Sequence, residues 1–170
     1  MAMNLANGQR AQRKYLVTIA GWKDGNSDKY QLLGARTEDS SIEFNPEVNT
    51  TTDILGITYT DVEKTEPQQT FDPMYILGGS PLAEYLVDAA LANEIDKYNG
   101  VFDIYVITAF TAASTSGPYP CKKHEGCTIL PNSMGGDSYI NLPIEVHYSN
   151  KITSGTVTGL TDENFEFTPS

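Results

Sequence analysis

Apolar and polar residues alternate along most of the chain, and this period of two predicts β-strands. The alternation is clearest at 14–20 and at 139–148, and residues 30–35 fit the return strand of a first hairpin turning at Asp24-Gly25. Residues 101–111 are apolar on both faces except at Asp103, which predicts a central strand buried on both sides.

One stretch has helical spacing. Ser80 is a good N-cap, Pro81 suits the first helical position, and Asn99-Gly100 gives a stop signal. The sequence therefore predicts one helix at 81–98 among strands, packed on a sheet. The predicted fold class is mainly β, a β-sandwich or curled barrel-like sheet with one flanking α-helix and a long β-hairpin.

The hairpin occupies residues 38–72, with predicted strands at 41–48 and 55–64 joined by a polar turn. The first strand should carry apolar residues on one face and acids on the other, and the second should carry an apolar pair leading into two acids. The apolar set is Ile42, Phe44, Val48, Ile57 and Tyr59; the acidic set is Glu43, Glu47, Asp61 and Glu63. An isolated hairpin cannot keep such an apolar face in water, so we expect a covering partner; a solubilising exposed loop is the alternative.

Length and charge narrow the class of protein to which the chain can belong. The 170 residues suit a single domain spanning 1–170, with an N-terminal arm at 1–13 and a C-terminal tail at 160–170. The net charge of −11 argues against binding nucleic acid by charge attraction. No apolar run approaches the ~20 residues that span a bilayer, and the N-terminus lacks a signal-peptide core. We therefore expect a protein kept in the cytosol, without membrane contact, whose cysteines are thiols.

Candidate chemistry is sparse. Cys121, His124 and Cys127 are spaced by two residues, but an extended strand would put the cysteines on one face and the histidine on the other. A calcium-like start at Asp24 lacks the glycine and the closing glutamate that such a loop needs. No nucleophile–base pair or phosphate loop stands out, so the sequence predicts no enzyme, no catalytic residue, no metal and no cofactor.

Several stretches resemble one known family. The run EDSSIEFNPEVNTTTDILGITYTDVEKTEPQQTFDP, the opening RKYLVTIAG, the helix after the hairpin, and PNSMGGDSYINLPIEVHYSNKITSGTV are similar to the major tail (tail tube) proteins of long-tailed bacteriophages. Together they cover most of the chain.

This resemblance implies a structural virion protein. Six copies would form a ring, and stacked rings would form the tail tube, with the hairpin and terminal arms bridging rings. The partners implied are further copies, the tape measure protein, the tail terminator and baseplate or tip proteins. DNA would pass through an acidic lumen during ejection without specific binding, and assembly would take place in the host cytoplasm before the protein resides in the virion tail.

A further hypothesis concerns the basic residues of the arm. Arg10, Arg13 and Lys14 form a basic cluster that could attract the acidic hairpin of another ring, although exposed ion pairs contribute only ~0–1 kcal/mol each; a frayed terminus is the alternative. The rival functions are a tail terminator or baseplate-type ring protein, and a β-sandwich ligand-binding module such as a carbohydrate-binding module.

Overall fold

A computed structural model describes residues 5–170, and this part of the chain is mainly β. The strands are Leu16–Asp24 (β1), Ser27–Leu32 (β2), Ile42–Glu43 (β3), Pro46–Thr52 (β4), Thr58–Thr65 (β5), Gln68–Phe71 (β6), Phe102–Thr108 (β7), Tyr119–Pro131 (β8), Ile144–His147 (β9), Ile152–Val157 (β10) and Phe167–Pro169 (β11). The α-helix is Pro81–Leu91 (α1). Short 3₁₀ helices occupy Arg13–Tyr15, Ile95–Lys97, Ala109–Thr111 and Asp162–Asn164.

The main sheet is antiparallel and runs in the order β2-β1-β7-β8-β9-β6-β3. Strand β8 is long enough to take three partners, since it pairs with β7, its first half also pairs with β10, and its last four residues pair with β9. The sheet divides along β8 and curls. As a result, Ala20 of β1 and Phe71 of β6, which are far apart in the strand order, lie in one buried core. The expected mainly β, curled fold is confirmed.

The larger core lies between the curled sheet and α1. Leu82 and Leu86 of the helix are fully buried against Phe102 and Ile104 of β7 and Val146 of β9. Serine at the N-cap begins the helix as expected, since the Ser80 hydroxyl accepts from the amide of Ala83. This placement fits a helix that covers one face of a sheet.

A second core lies on the opposite face of β1 and β7. Tyr105 and Ile107 contribute to it, whereas Phe102 and Ile104 of the same strand belong to the larger core. The central strand is therefore buried on both faces, as the sequence predicts. The C-terminal segment covers this second face, and Phe165 packs edge-to-face on Tyr105 with ring centroids 4.6 Å apart.

The helix is shorter than the predicted range 81–98. Asn93 adopts a positive φ of 56°, and the amides of Asn93 and Glu94 donate to the carbonyls of Ala90 and Ala89. This is a Schellman cap, which closes a helix by satisfying its last carbonyls. The chain then forms a separate 3₁₀ turn at Ile95–Lys97 before the expected stop at Asn99-Gly100.

The first hairpin is tighter than the sequence suggests. Strand β1 continues through residues 21–24, beyond the predicted range 14–20, and the connection is only Gly25-Asn26 between paired Asp24 and Ser27. Gly25 has a φ of +62°, which the first central position of a type II′ turn requires.

The two cysteines do not share a face, contrary to the expectation for an extended strand. Cys121 belongs to the second core and Cys127 to the larger one. A register shift opposite Phe102–Ile104 and a positive φ of 74° at Gly126 mark a β-bulge, which changes the phase of alternation between the cysteines.

Candidate assembly surface

Strands β4 and β5 form a two-stranded antiparallel sheet of their own, which we call the ribbon (residues 46–65). Every residue of β4 and β5 is exposed. Seven paired positions at about 3.3 Å per residue make the ribbon roughly 20 Å long. An exposed ribbon of this length gains no support from the core, so its faces are free to contact other molecules.

The root of the ribbon is the short pair β3–β6, which joins it to the main sheet through β9. The predicted single strand at 41–48 is interrupted here, because Asn45 takes a left-handed conformation with φ of 44°. Its side-chain amide donates to the Glu66 carbonyl at 3.1 Å, and the Glu66 amide donates to the Phe44 carbonyl. Asparagine tolerates this backbone conformation better than most residues, so the bend has a fixed geometry.

A β-bulge at Glu63 changes the phase of the second strand. Glu47 lies opposite Lys64, whereas Val48 lies opposite Val62, so Glu63 has no partner of its own. Its carboxylate instead accepts from the side-chain amide of Asn49 at 3.0 Å. The bulge thus places Glu63 and Lys64 on the same face as Glu47.

The register sorts the ribbon into two faces. The charged face carries Glu47, Asn49, Thr51, Tyr59, Asp61, Glu63 and Lys64; the uncharged face carries Pro46, Val48, Thr50, Thr52, Thr58, Thr60, Val62 and Thr65. All four charged residues of β4 and β5 therefore lie on one side. On the other side, threonines and valines form cross-strand pairs such as Thr50–Thr60, which stabilise a two-stranded sheet.

The tip of the ribbon is apolar, whereas the sequence predicts a polar turn. Ile54 and Leu55 are the most exposed apolar side chains of the ribbon, at 102% and 78% of their full accessible surface. The Asp53 carboxylate accepts from the amides of Leu55 and Ile57 at 2.8 and 3.0 Å and from the Tyr59 hydroxyl at 3.3 Å. These bonds lower the pKa of Asp53, chiefly the one from Ile57, and hold the two apolar side chains in solvent.

The charged face carries one base among acids. Lys64 Nζ lies 2.8 Å from Glu66 and 3.3 Å from Glu47, and these bonds raise the pKa of Lys64 and lower that of Glu66. Asp61 and Glu63 form no ion pair with the part of the chain described. The face therefore keeps a net negative charge.

The five expected apolar contact residues do not form one continuous face. Ile42 belongs to the root, where it pairs with Gln69, and Phe44 lies at the bend. Val48 is on the uncharged face and Tyr59 on the charged one, while Ile57 precedes β5 near the tip. The bend and the long tip loop break the simple alternation on which the expectation rests.

Glu43 and the two arginines of the arm lie outside the two strands of the ribbon. Glu43 lies at the root, where its carboxylate accepts from the Gln68 amide at 3.3 Å. The Arg13 guanidinium donates to the carbonyls of Ser40 and Leu16, so it holds the arm to the start of the hairpin within one subunit. Arg10 is exposed and bonds to no side chain among residues 5–170.

Sequence reasoning missed three exposed apolar residues: Ile54, Leu55 and Val62. Val62 has no apolar pattern to mark it, because it stands between Asp61 and Glu63 and alternates with threonines. The Ile54-Leu55 pair had a usable signal, since two large aliphatic residues between Asp53 and Gly56 are unusual in a tight exposed turn.

Other chemistry in the described range is limited. Among residues 5–170, no three His, Cys, Asp or Glu side chains cluster closely enough to hold a metal ion. Burial raises the pKa of the Cys121 thiol to about 12 and also raises the pKa of Cys127, whose sulfur accepts from the Ser149 amide. No helix in this range is long and apolar enough to cross a membrane.

The fold is similar to that of a chain from a prophage baseplate. A chain of the anti-feeding prophage baseplate, solved by cryo-EM with six-fold symmetrisation, superposes with a TM-score of 0.53 at 13% identity, covering 88% of this chain and 97% of that one. A chain of the tube-terminating cap of the anti-feeding prophage overlaps at a TM-score of 0.48 and 11% identity, covering 90% of this chain and 95% of that one. No family model and no curated protein matches the sequence.

Proposed function

We propose that this chain is a structural subunit of a phage tail, forming hexameric rings that stack into the tail tube through which the genome is ejected. The observation that carries the proposal is the fold shared with a baseplate chain over nearly the whole length of both. In this role the chain has no catalytic task, is assembled in the host cytoplasm and ends in the virion tail.

The ribbon supports a role in assembly. Exposed large apolar residues at its tip and along both strands have no covering group within the described chain. A monomer that stays alone in solution rarely displays such a surface on a projecting element. Contact with further copies of the chain would cover this apolar surface. Contact with the tape measure, terminator or baseplate proteins would use the ends of the tube.

The charge distribution supports a conduit for DNA. Glu43, Glu47, Asp61 and Glu63 are our candidates for lining the lumen, since they are exposed acids of the ribbon and its root. A wall of acids repels a polyanion and prevents it from adhering during passage. The chain has a net charge of −11, and the ribbon with its root gathers exposed acids that repel a polyanion into one element.

A second candidate is a single-ring protein of the baseplate or the tube terminator. The similar structure belongs to a baseplate, which favours this role as much as that of a tube subunit. The two candidates share fold and ring formation and differ in whether rings stack without limit.

Negative-stain electron microscopy of the purified protein tests both. Long tubes of uniform width support the tail tube, and single rings that do not extend at high concentration support the baseplate or terminator role. Monomers alone at every concentration, confirmed by sedimentation velocity, would contradict both candidates and favour a ligand-binding module.

A further inference from the structure

We propose that the uncharged face of the ribbon packs against a second copy of this chain, while the charged face remains turned to solvent. The inference rests on the proposed function, since it specifies which side of the ribbon makes the subunit contact. It also predicts that the acids of the ribbon stay hydrated in the assembly, where they are available to line a channel.

The first argument is the sorting of charge. A chain with 22 acidic and 11 basic residues repels copies of itself over most of its surface. The uncharged face offers eight side chains without a formal charge, whereas the charged face would bring Asp61 and Glu63 against another acidic subunit. Like charges placed opposite each other in an interface cost several kcal/mol.

The second argument is the bulge at Glu63. If alternation continued unbroken from Thr58, Thr60 and Val62, the next side chain on the uncharged face would be Lys64. The bulge instead directs Lys64 to Glu47, with Nζ 3.3 Å from the carboxylate, and leaves Thr65 opposite Pro46. The uncharged face is thereby free of charge over its whole length.

The third argument concerns area. The face measures roughly 20 Å by 10 Å, so it offers about 200 Å². A stable interface needs about 800 Å² per partner. The ribbon face is therefore one part of a larger contact, and the apolar tip at Ile54-Leu55 lies next to it to extend the area. Assembly through such a contact depends on concentration and is sensitive to a single charge.

The test compares two adjacent threonines. Thr50→Glu adds a charge to the uncharged face, and Thr51→Glu adds the same charge to the charged face in the same strand; both positions are exposed. We expect Thr50→Glu to raise the protein concentration needed for assembly at least about tenfold, whereas Thr51→Glu shifts it by no more than about twofold. Sedimentation velocity measures both, and circular dichroism confirms that both variants fold.

A second measurement does not depend on the glutamate variants. Thr50→Cys and Thr51→Cys are labelled with a maleimide before and after assembly; the natural cysteines are only 3% and 1% exposed and serve as silent background. We expect the thiol at position 50 to be labelled in the monomer and protected in the assembly, and the thiol at position 51 to be labelled in both.

The outcomes separate the inference from the proposed function. Assembly of both glutamate variants at the wild-type concentration, or equal labelling at positions 50 and 51, would overturn the inference and leave the proposed function standing. A stronger defect in Thr51→Glu would overturn it too. A wild-type protein that never assembles would overturn both.

Discussion

The hydroxyl of Tyr148 donates to the side-chain oxygen of Gln69 at 2.7 Å, deep under the root of the ribbon. Gln69 is 1% exposed, its oxygen also accepts from Thr18 at 3.2 Å, and its amide donates to Ser40 at 3.1 Å. Strands β1 and β6 and the segments that carry Ser40 and Tyr148 therefore meet at one glutamine. The same burial raises the pKa of Tyr148 well above its usual range.

We predict that Gln69→Leu lowers the free energy of unfolding by about 1–3 kcal/mol, because it leaves the buried hydroxyls of Tyr148 and Thr18 without their partner. Urea denaturation followed by fluorescence measures the change. Gln68→Leu is the matched control, since Gln68 is the neighbouring glutamine of the same strand and bonds only to the exposed Glu43. Equal losses in both variants would contradict a special role for Gln69.

The end of the helix gives a second prediction. Asn93 has a φ of 56°, a conformation that costs most residues roughly 1–2 kcal/mol. We expect Asn93→Ala to lower the melting temperature and Asn93→Gly to keep or raise it, since glycine adopts this conformation without a steric penalty. Thermal unfolding by circular dichroism distinguishes them. If the helix continued through residue 93, Asn93→Ala would have the higher melting temperature and Asn93→Gly the lower one.

Local signals in the sequence were sufficient for much of the fold. Ser80-Pro81 predicts the helix start, and the apolar run at 101–111 predicts a strand buried on both faces, which the structure forms at Phe102–Thr108. Each of these rests on neighbouring residues alone, so no knowledge of distant contacts is needed. The acidic hairpin at 38–72 was predicted for the same reason, as two β-rich segments close in sequence.

The candidate surface was harder to predict, because it depends on register. The bulges at Glu63 and near Gly126 each add one residue and reverse the alternation that follows. The bulge near Gly126 separates the two cysteines, and the bulge at Glu63 turns Lys64 to the face of Glu47. Neither bulge is visible in one strand alone, since a bulge exists only relative to the partner strand.

The tip of the ribbon should respond to pH. The pKa of Asp53 is lowered in the folded protein, chiefly because the Ile57 amide donates to its carboxylate. A carboxylate with a lowered pKa stabilises the folded tip above its usual value of 3.8, and this contribution is lost as pH falls through the lowered pKa. We expect the amide resonances of Leu55 and Ile57 to titrate together in NMR, with a midpoint below 3.8.

Asp53→Asn provides the control for that titration, since it removes the ionising group and should abolish the shared midpoint at Leu55 and Ile57. A midpoint at or above the usual aspartate value would contradict the bonding seen at the tip. The rest of the fold should not change, because the tip lies far along the exposed ribbon from the core.

Substitutions of the two arginines of the arm should distinguish a role in the stability of the subunit from a role in assembly. Arg13 donates to the Ser40 carbonyl, so Arg13→Ala should lower the free energy of unfolding by about 1 kcal/mol. Arg10→Glu should leave stability unchanged, and any loss of tube length seen by electron microscopy would then reflect contact between rings. Normal tubes from Arg10→Glu would contradict an electrostatic contribution from that residue.

Substitution of the apolar residues near the tip tests whether the ribbon stabilises its own subunit or contacts other subunits. Ile57 and Tyr59 are 50% and 49% exposed, and neither belongs to a buried core. The double variant Ile57→Asp with Tyr59→Ser should therefore unfold within about 0.5 kcal/mol of the wild type, as surface substitutions usually do. It should also remain monomeric at concentrations where the wild type assembles, because Ile57→Asp adds a charge beside the apolar tip that extends the contact. Loss of the fold would instead show that these side chains stabilise their own subunit.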